Sequence, residues 1–522
     1  MSEQSSVTDI QTITKYVSTL VKGGQHQAAR DYIDDAVGKA PDSAALLHLA
    51  AQVFNQQGDL QGALAYLTRA IKAMPEQIVF HIDRLYVLDR LNERKQLATA
   101  LEAATKLAQD NKQYQQQLAR FYTQLDQPAN ALAIIENLLK QHPDDTVLAF
   151  DEGLNRWFLG DAKAAEKIIK KVCDNEQAPS MAHYVLALLR KQTKTRNHID
   201  ALKERARADQ VADTPLWFAL AKEYEDLGEH ELAFNAASTG NALQKKITPY
   251  NEAAELDALQ QLTQVARTWN TQGRGNKKTA ITPVFVVSMP NSGATLVERY
   301  LAAHPNVKSL GEFADFPLLL NEAIASYLAE HSGATRDQAL QNLNYTDLGK
   351  AYLAKLAEVA DGHEFVVDKL PFNFLYCGLI KKALPTAKII HVQRDALDTC
   401  WSIYRTLFSD RYAYAYDQAE LGHYYAHYQA LMNAWQSTLG DEMLCVDYEA
   451  MVSDSAATQQ QLLDFCGLTA APAQDGYVSI ATSVTTARGE PMCQKLYTKA
   501  KGRASAYSKH LEPLADALAA FK

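Results

Sequence analysis

Two groups of residues in the second half of the chain have the types and spacing to hold anions. The first follows the apolar run Val284–Val287, where Pro290, Asn291, Ser292, Gly293, Ala294 and Thr295 break the run and helical spacing resumes at Leu296, Tyr300 and Leu301. A strand, a turn of small residues and a helix N-terminus form an anion cradle. The turn's N–H groups point outward, the helix dipole adds partial positive charge, and the Ser and Thr hydroxyls can donate. Phosphate or sulfate is the natural ligand. The missing Gly-Lys-Ser/Thr ending excludes a Walker A loop and argues against a nucleoside kinase. The second group is AKIIHVQRDALDTCWSIYRTLF, whose strand ends at Arg394, with Ser402 eight residues on. A guanidinium suited to bidentate phosphate contact and a hydroxyl would then meet a second anionic group. Pairing of Arg394 with Asp395 or Asp398 is the local alternative.

Near the C-terminus Arg488, Lys495, Lys499, Lys501, Arg503 and Lys509 are opposed only by Glu490. Such a run is a solvated face or, beside two anion sites, a loop closing over a polyanion. These groups need a scaffold, and the sequence around them alternates strand-like runs with amphipathic helical patterns. Strands are expected at Val284–Ser288, Lys308–Leu310, Phe365–Asp368, Lys388–Gln393 and Met443–Val446, with helices around 314–328, 346–360, 373–384, 396–408 and 417–438. That alternation predicts an α/β domain with a mainly parallel sheet, whose ligands bind at the carboxyl ends of strands. The tyrosines at 412, 414, 416, 424, 425 and 428 read as helix packing, with substrate contact as the alternative.

The first half has a different grammar. Ala29, Ala63, Ala131, Ala165 and Ala233 keep a 34-residue register or twice that, the period of the tetratricopeptide helix–turn–helix repeat. Pro41, Pro75 and Pro143 follow in the same register, and Ala51, Ala119, Gly153 and Ala221 precede. Two slots, near Leu97 and Ile199, depart from it. An all-α tetratricopeptide solenoid is expected, because each hairpin buries its apolar face only against neighbours. Its concave surface would take a peptide or protein; a homodimer contact or simple support is the other role. The expected domains are a solenoid over 1–248, a connecting helix and linker over 249–280, and the α/β domain over 281–522.

Composition excludes several classes. A net charge of −9 over 522 residues argues against general nucleic-acid binding. No apolar run approaches the length of a membrane span, and MSEQSSVTDIQTITKYV lacks the layout of a signal peptide. Six cysteines at 173, 377, 400, 445, 466 and 493 form no C-x-x-C pair, so neither disulfides nor a metal site is expected and a reducing cytoplasm is the default.

With these segments in view, the second half resembles PAPS-dependent sulfotransferases of the bacterial type in which tetratricopeptide repeats precede the catalytic domain (PAPS is 3′-phosphoadenosine 5′-phosphosulfate). Further matches are HPNVKSLGE, DKLPFNFLYCGLI, AYDQAELGHYYAHYQALMNAW, the DYE at 447–449 and LYTKAKGR at 496–503. The resemblance implies a P-loop-like sulfotransferase fold with PAPS as donor and no metal. It puts the 5′-phosphosulfate in the cradle, Asn291 to Thr295, and the 3′-phosphate on Arg394 and Ser402, with Tyr448 and Arg503 as further nucleotide contacts. Sulfuryl transfer to a hydroxyl or amine of a peptide, protein or other large acceptor needs a base and cationic stabilisation. Glu312 is the candidate base, with Asp315 and His363 as substitutes, and Lys369 would stabilise the sulfuryl or bridging oxygens. Three positions depart from the family pattern: Asn291 replaces an Arg, Ala294 replaces a Thr, and Arg488 stands where Ser is common. Arg488 would restore the lost cradle charge. The alternative function is a catalytically weak or inactive nucleotide-binding scaffold whose repeats bind a partner.

Overall fold

The 34-residue period takes shape as alternating helices. In the computed structural model, which describes residues 2–108, 111–270, 279–408, 410–469 and 501–520, one set of helices begins at Ala44, Ile78, Lys112, Thr146, Ser180 and Thr214. Their partners begin at His26, Leu60, Arg94, Pro128 and Ala162, then at Ile199 and His230. The five in-register alanines are all buried, because a larger side chain there would push paired helices apart. The two departing slots resolve differently. Leu97 is buried in a full-length helix, Arg94–Leu107, whereas Ile199 opens the short helix Ile199–Arg205. Pro41, Pro75 and Pro143 fall just after helices ending at Lys39, Ala73 and Gln141, where a missing N–H costs nothing.

The chain packs as two compact units, Met1–Leu148 and Ala149–Lys522. The helices from Ala149 to Thr268 therefore share a unit with the sheet. The packing divides earlier than the expected bounds at 248 and 281, and the first strand begins only at Thr282. Among the described residues no helix is long and apolar enough to cross a membrane.

The sheet has five parallel strands: β1 Thr282–Val287, β2 Val307–Ser309, β3 Phe365–Asp368, β4 Lys388–Gln393 and β5 Met443–Asp447. Their order is β2-β3-β1-β4-β5. Alternate residues face opposite cores, as a period of two requires. Phe285, Val287, Val366 and Ile389 join one core, while Val284, Val286, Val367, Ile390, Val392 and Val446 join the other. With both faces covered, the strands read as continuous apolar runs. After β1 the chain crosses to β2 and β3 on one side and then to β4 and β5 on the other, so a switch point lies at the carboxyl end of β1.

The expected helices appear at Asp315–Glu330, Tyr345–Val359, Cys377–Ala383, Ala396–Tyr404 and Gln418–Leu439. The third begins late because Pro371–Tyr376 forms a 3₁₀ turn first. The six expected packing tyrosines are buried.

Candidate active site

The cradle is the six-residue turn between β1 and the helix Ala294–Ala302, at the switch point. Asn291 and Gly293 both have positive φ, 62° and 101°. Asn is one of the few side chains that tolerates this conformation. At Gly293 a Cβ would lie 2.5 Å from the Tyr448 ring, so glycine is required for space as well as for φ. No described residue accepts from the backbone N–H groups of Ser292, Gly293, Ala294 or Thr295. Among the described residues, four donors at a helix N-terminus are thus left for an anion. The Asn291 amide is engaged elsewhere: it donates to Ser402 O at 3.1 Å and lies 3.4 Å from Thr406 Oγ1. It ties the loop to the helix Ala396–Tyr404.

Beside the cradle, β3 ends on two buried residues of opposite orientation. Asp368 accepts from the Tyr352 hydroxyl at 2.8 Å and from Leu370 N at 3.1 Å, and burial pushes its carboxyl up to about 7. Lys369 points the other way. Its Nζ lies 3.3 Å from Glu312 Oε1 and 3.9 Å from Glu298 Oε2. Glu312 keeps 22% of its side chain exposed, whereas Glu298 is enclosed and accepts from Ser309 Oγ at 2.5 Å. Burial raises the Glu298 carboxyl, an effect that Lys369 opposes. The neighbouring Phe313 packs inward against Tyr352. Asp315 is buried at the start of the next helix. His363 precedes β3 and so sits at the amino end of the sheet, with Nδ1 on Ala360 O. The structure brings Lys369 to Glu312 and to Glu298 of the cradle helix, and leaves His363 apart.

Arg394 follows β4 on the other side of β1. Its Nη1 donates to Asn291 O at 3.0 Å, and its guanidinium lies 5.0 Å from the centre of the Tyr448 ring. Tyr448 thereby touches Gly293 on one side and faces Arg394 on the other. Asp398 is 4.0 Å from Arg394 and accepts from the backbone of Gly502 (2.5 Å) and Ala504 (2.8 Å). This anchors the segment carrying Arg503. Ser402 is buried one turn before Thr406, whose hydroxyl bonds Ser402 O. Arg488, Lys495 and Lys499 lie outside the described residues. Of the basic run, Lys501, Arg503 and Lys509 are described, and Arg503 lies nearest these groups.

Two carboxylates escaped the reading of the residues. Glu298 lies four residues after Ala294, one helical turn along the cradle helix, so its helical spacing was the available signal. Glu225, on the repeat helix Thr214–Leu227, binds Arg405 Nη1 at 2.7 Å and lies 3.7 Å from Arg503 Nη2. No local pattern announces it. His391, within β4, bonds the Tyr428 hydroxyl and is held neutral by burial, which lowers it to about 3; it is a core group.

Residues 283–472 match the Sulfotransferase family, and residues 9–151 match a tetratricopeptide repeat. An uncharacterized protein of Aquifex aeolicus (strain VF5) is 27% identical over 314 residues, covering 58% of this chain and 41% of that protein. The chain thus spans under half the length of that relative. Among solved structures, the sulfotransferase domain from the curacin biosynthetic pathway is 16% identical, with 44% of this chain and 99% of that one covered and a TM-score of 0.29. A sulfotransferase from Alicyclobacillus acidocaldarius is 17% identical over 46% and 96%, with a TM-score of 0.27. YrrB, a tetratricopeptide protein with an unusual peptide-binding site, is 18% identical over 39% and 96%, at 0.28.

Proposed function

We propose that this chain, a sulfotransferase-family domain preceded by tetratricopeptide repeats, transfers a sulfuryl group from PAPS to a hydroxyl or amine of a peptide, protein or other large acceptor recruited by the repeats. The observation that carries the reading is the pairing of two cationic sites across the carboxyl end of β1. The cradle N–H groups and Lys369 lie on one side, and Arg394 over Tyr448 lies on the other. A donor with a phosphosulfate at one end and a 3′-phosphate at the other spans such a pair. When bound, PAPS supplies the activated sulfuryl group.

The chain's own groups then have distinct tasks. Ser292 to Thr295 offer backbone and hydroxyl donors to the 5′ end. Lys369 neutralises charge developing on sulfuryl and bridging oxygens, the kind of contact whose loss costs roughly 10²–10³ in rate. Glu312, more exposed than Glu298, takes the acceptor proton, and its bond to Lys369 holds it in place. Arg394, Ser402 and Arg503 hold the 3′-phosphate, and Tyr448 lines the nucleotide; Arg488 restores the charge that Asn291 does not bring to the cradle. The described cysteines are free, which suits a reducing, cytoplasmic setting.

Thermal shift with adenosine 3′,5′-bisphosphate tests the donor. At 100 times its Kd the ligand should add about 2.7 kcal/mol of stability, and labelled PAPS should pass its sulfuryl group to a lysate acceptor. The weak-scaffold reading has one observation in its favour. Asn291 brings no charge to the cradle, and its amide is occupied by Ser402 and Thr406. A shift without transfer would establish that second reading; no shift would remove PAPS from both.

A further inference from the structure

We infer that Glu225, on the repeat helix Thr214–Leu227, is a positioning residue for the nucleotide end of the donor site. The inference rests on the reading above, in which Arg394 and Arg503 meet the 3′-phosphate.

Glu225 stands where a carboxylate is hard to keep. Its side chain is only 8% exposed, and it lies in the last turn of its helix, where the unsatisfied carbonyls carry partial negative charge. Burial raises its carboxyl, yet Arg405 and Arg503 prevail and hold it below the usual carboxylate range. An apolar residue would fill this place at lower cost. What the carboxylate adds is direction. It accepts from Arg405 Nη1 at 2.7 Å, takes the Tyr507 hydroxyl at 3.3 Å and holds Arg503 at 3.7 Å.

Those partners surround the nucleotide end. Arg405 follows the helix that carries Ser402. Arg503 sits between Gly502 and Ala504, both fixed by Asp398 beside Arg394. Two carboxylates, one from a repeat and one from the sheet domain, therefore hold the same short segment, Asp398 by its backbone and Glu225 at the Arg503 side chain. Arg503 retains 25% side-chain exposure. Its charge also reaches Tyr448, where with Arg394 it opposes the burial that raises the phenol. The rest of the segment is seated on the same repeat hairpin. Tyr507 lies against Trp401 and His230, and His510 stacks on Phe234 at 4.6 Å. The hairpin thus forms a wall of the donor site in addition to any part it plays in recruiting acceptors.

The test uses the full chain and two ligands, adenosine 3′,5′-bisphosphate and adenosine 5′-monophosphate, which differ only in the 3′-phosphate. Calorimetry should show Glu225→Gln weakening the bisphosphate about tenfold, the loss of one oriented charged contact, with the monophosphate nearly unchanged. The KM for PAPS should rise by a similar factor while kcat at saturating donor holds. The double variant Glu225→Gln/Arg503→Gln should bind no worse than Arg503→Gln alone, because the two act through one contact. Equal weakening of both nucleotides, additive losses in the double variant, or tighter bisphosphate binding would each overturn the inference. Should Glu225→Gln fail to fold, Glu225→Asp keeps the charge but withdraws it by one methylene, and an unchanged ligand ratio there overturns it equally. Failure of the unmodified protein to bind bisphosphate would instead overturn the donor reading.

Discussion

At the cradle end of the site, the groups come from the ends of three consecutive strands of the sheet: the turn after β1, Lys369 just after β3 and Glu312 after β2. At the Arg394 end, β4 leads into Arg394 and the helix with Ser402, and β5 into Tyr448, while Glu225 and Arg503 arrive from a repeat helix and from a C-terminal segment. The first end is set by register. Parallel pairing fixes Phe285 opposite Asp368, so Lys369 leaves β3 beside the last residues of β1, and its Nζ reaches Glu298 on the cradle helix at 3.9 Å. The second end is set by charge pairing over long sequence distances. It should tolerate change less evenly and depend on elements outside the sheet.

Substitutions can separate these two modes of construction. The largest effect belongs to Lys369→Met. It removes the cation at the cradle end, and transfer of labelled sulfuryl should fall roughly 10²–10³-fold, with bisphosphate affinity changed far less. Gly293→Ala comes next, because the new Cβ meets the Tyr448 ring at 2.5 Å in a backbone region strained for alanine. A stability loss of about 1–3 kcal/mol is expected, read as a lower Tm together with weaker bisphosphate binding. Since Tyr448 also faces Arg394, this variant disturbs both ends at once. Arg394→Lys should then cost about tenfold in bisphosphate affinity, without the fall in kcat seen for Lys369→Met. Equal kcat losses in the two variants would break the distinction between the ends.

The smallest effect on transfer is expected from Asp368→Asn, which reports instead on pH. Burial places this carboxyl near 7 in the fold, against about 3.9 in an unfolded chain. Between those values the folded chain keeps a proton that the unfolded chain releases. The resulting stability is complete below the window and is lost as pH rises through about 7. Denaturant midpoints measured at pH 5 and pH 8 should therefore converge in Asp368→Asn. An unaltered pH dependence would assign it to other groups.

Much of this was legible from residues alone, for identifiable reasons. The strands announce themselves because a sheet buried on both faces has no polar alternation to confuse with a loop, and Val284 to Val287 is such a run. The repeat helices announce themselves because close helix pairing demands a small residue at one fixed position, and Ala29, Ala63, Ala131, Ala165 and Ala233 supply it. The cradle is legible because Asn291 and Gly293 carry local conformational demands. By contrast, the departing slot at Leu97 proved a full helix, since a larger residue can be accommodated where its partner yields space. Glu298 left only a faint helical-spacing signal.

What the sequence determines by itself is thus the set of elements and the local anion-binding turn, because propensity, periodicity and positive φ act over a few residues. Which distant charges meet was decided only by tertiary structure. Asn291 reads as a cradle donor, yet its amide donates to Ser402 O and ties the loop to a helix more than a hundred residues away. No local pattern marks Glu225, yet its carboxylate is buried beside Arg405 and Arg503. Neither outcome is encoded within a window of neighbours, since a buried ion pair forms where folding leaves two charges without water and close enough to compensate each other.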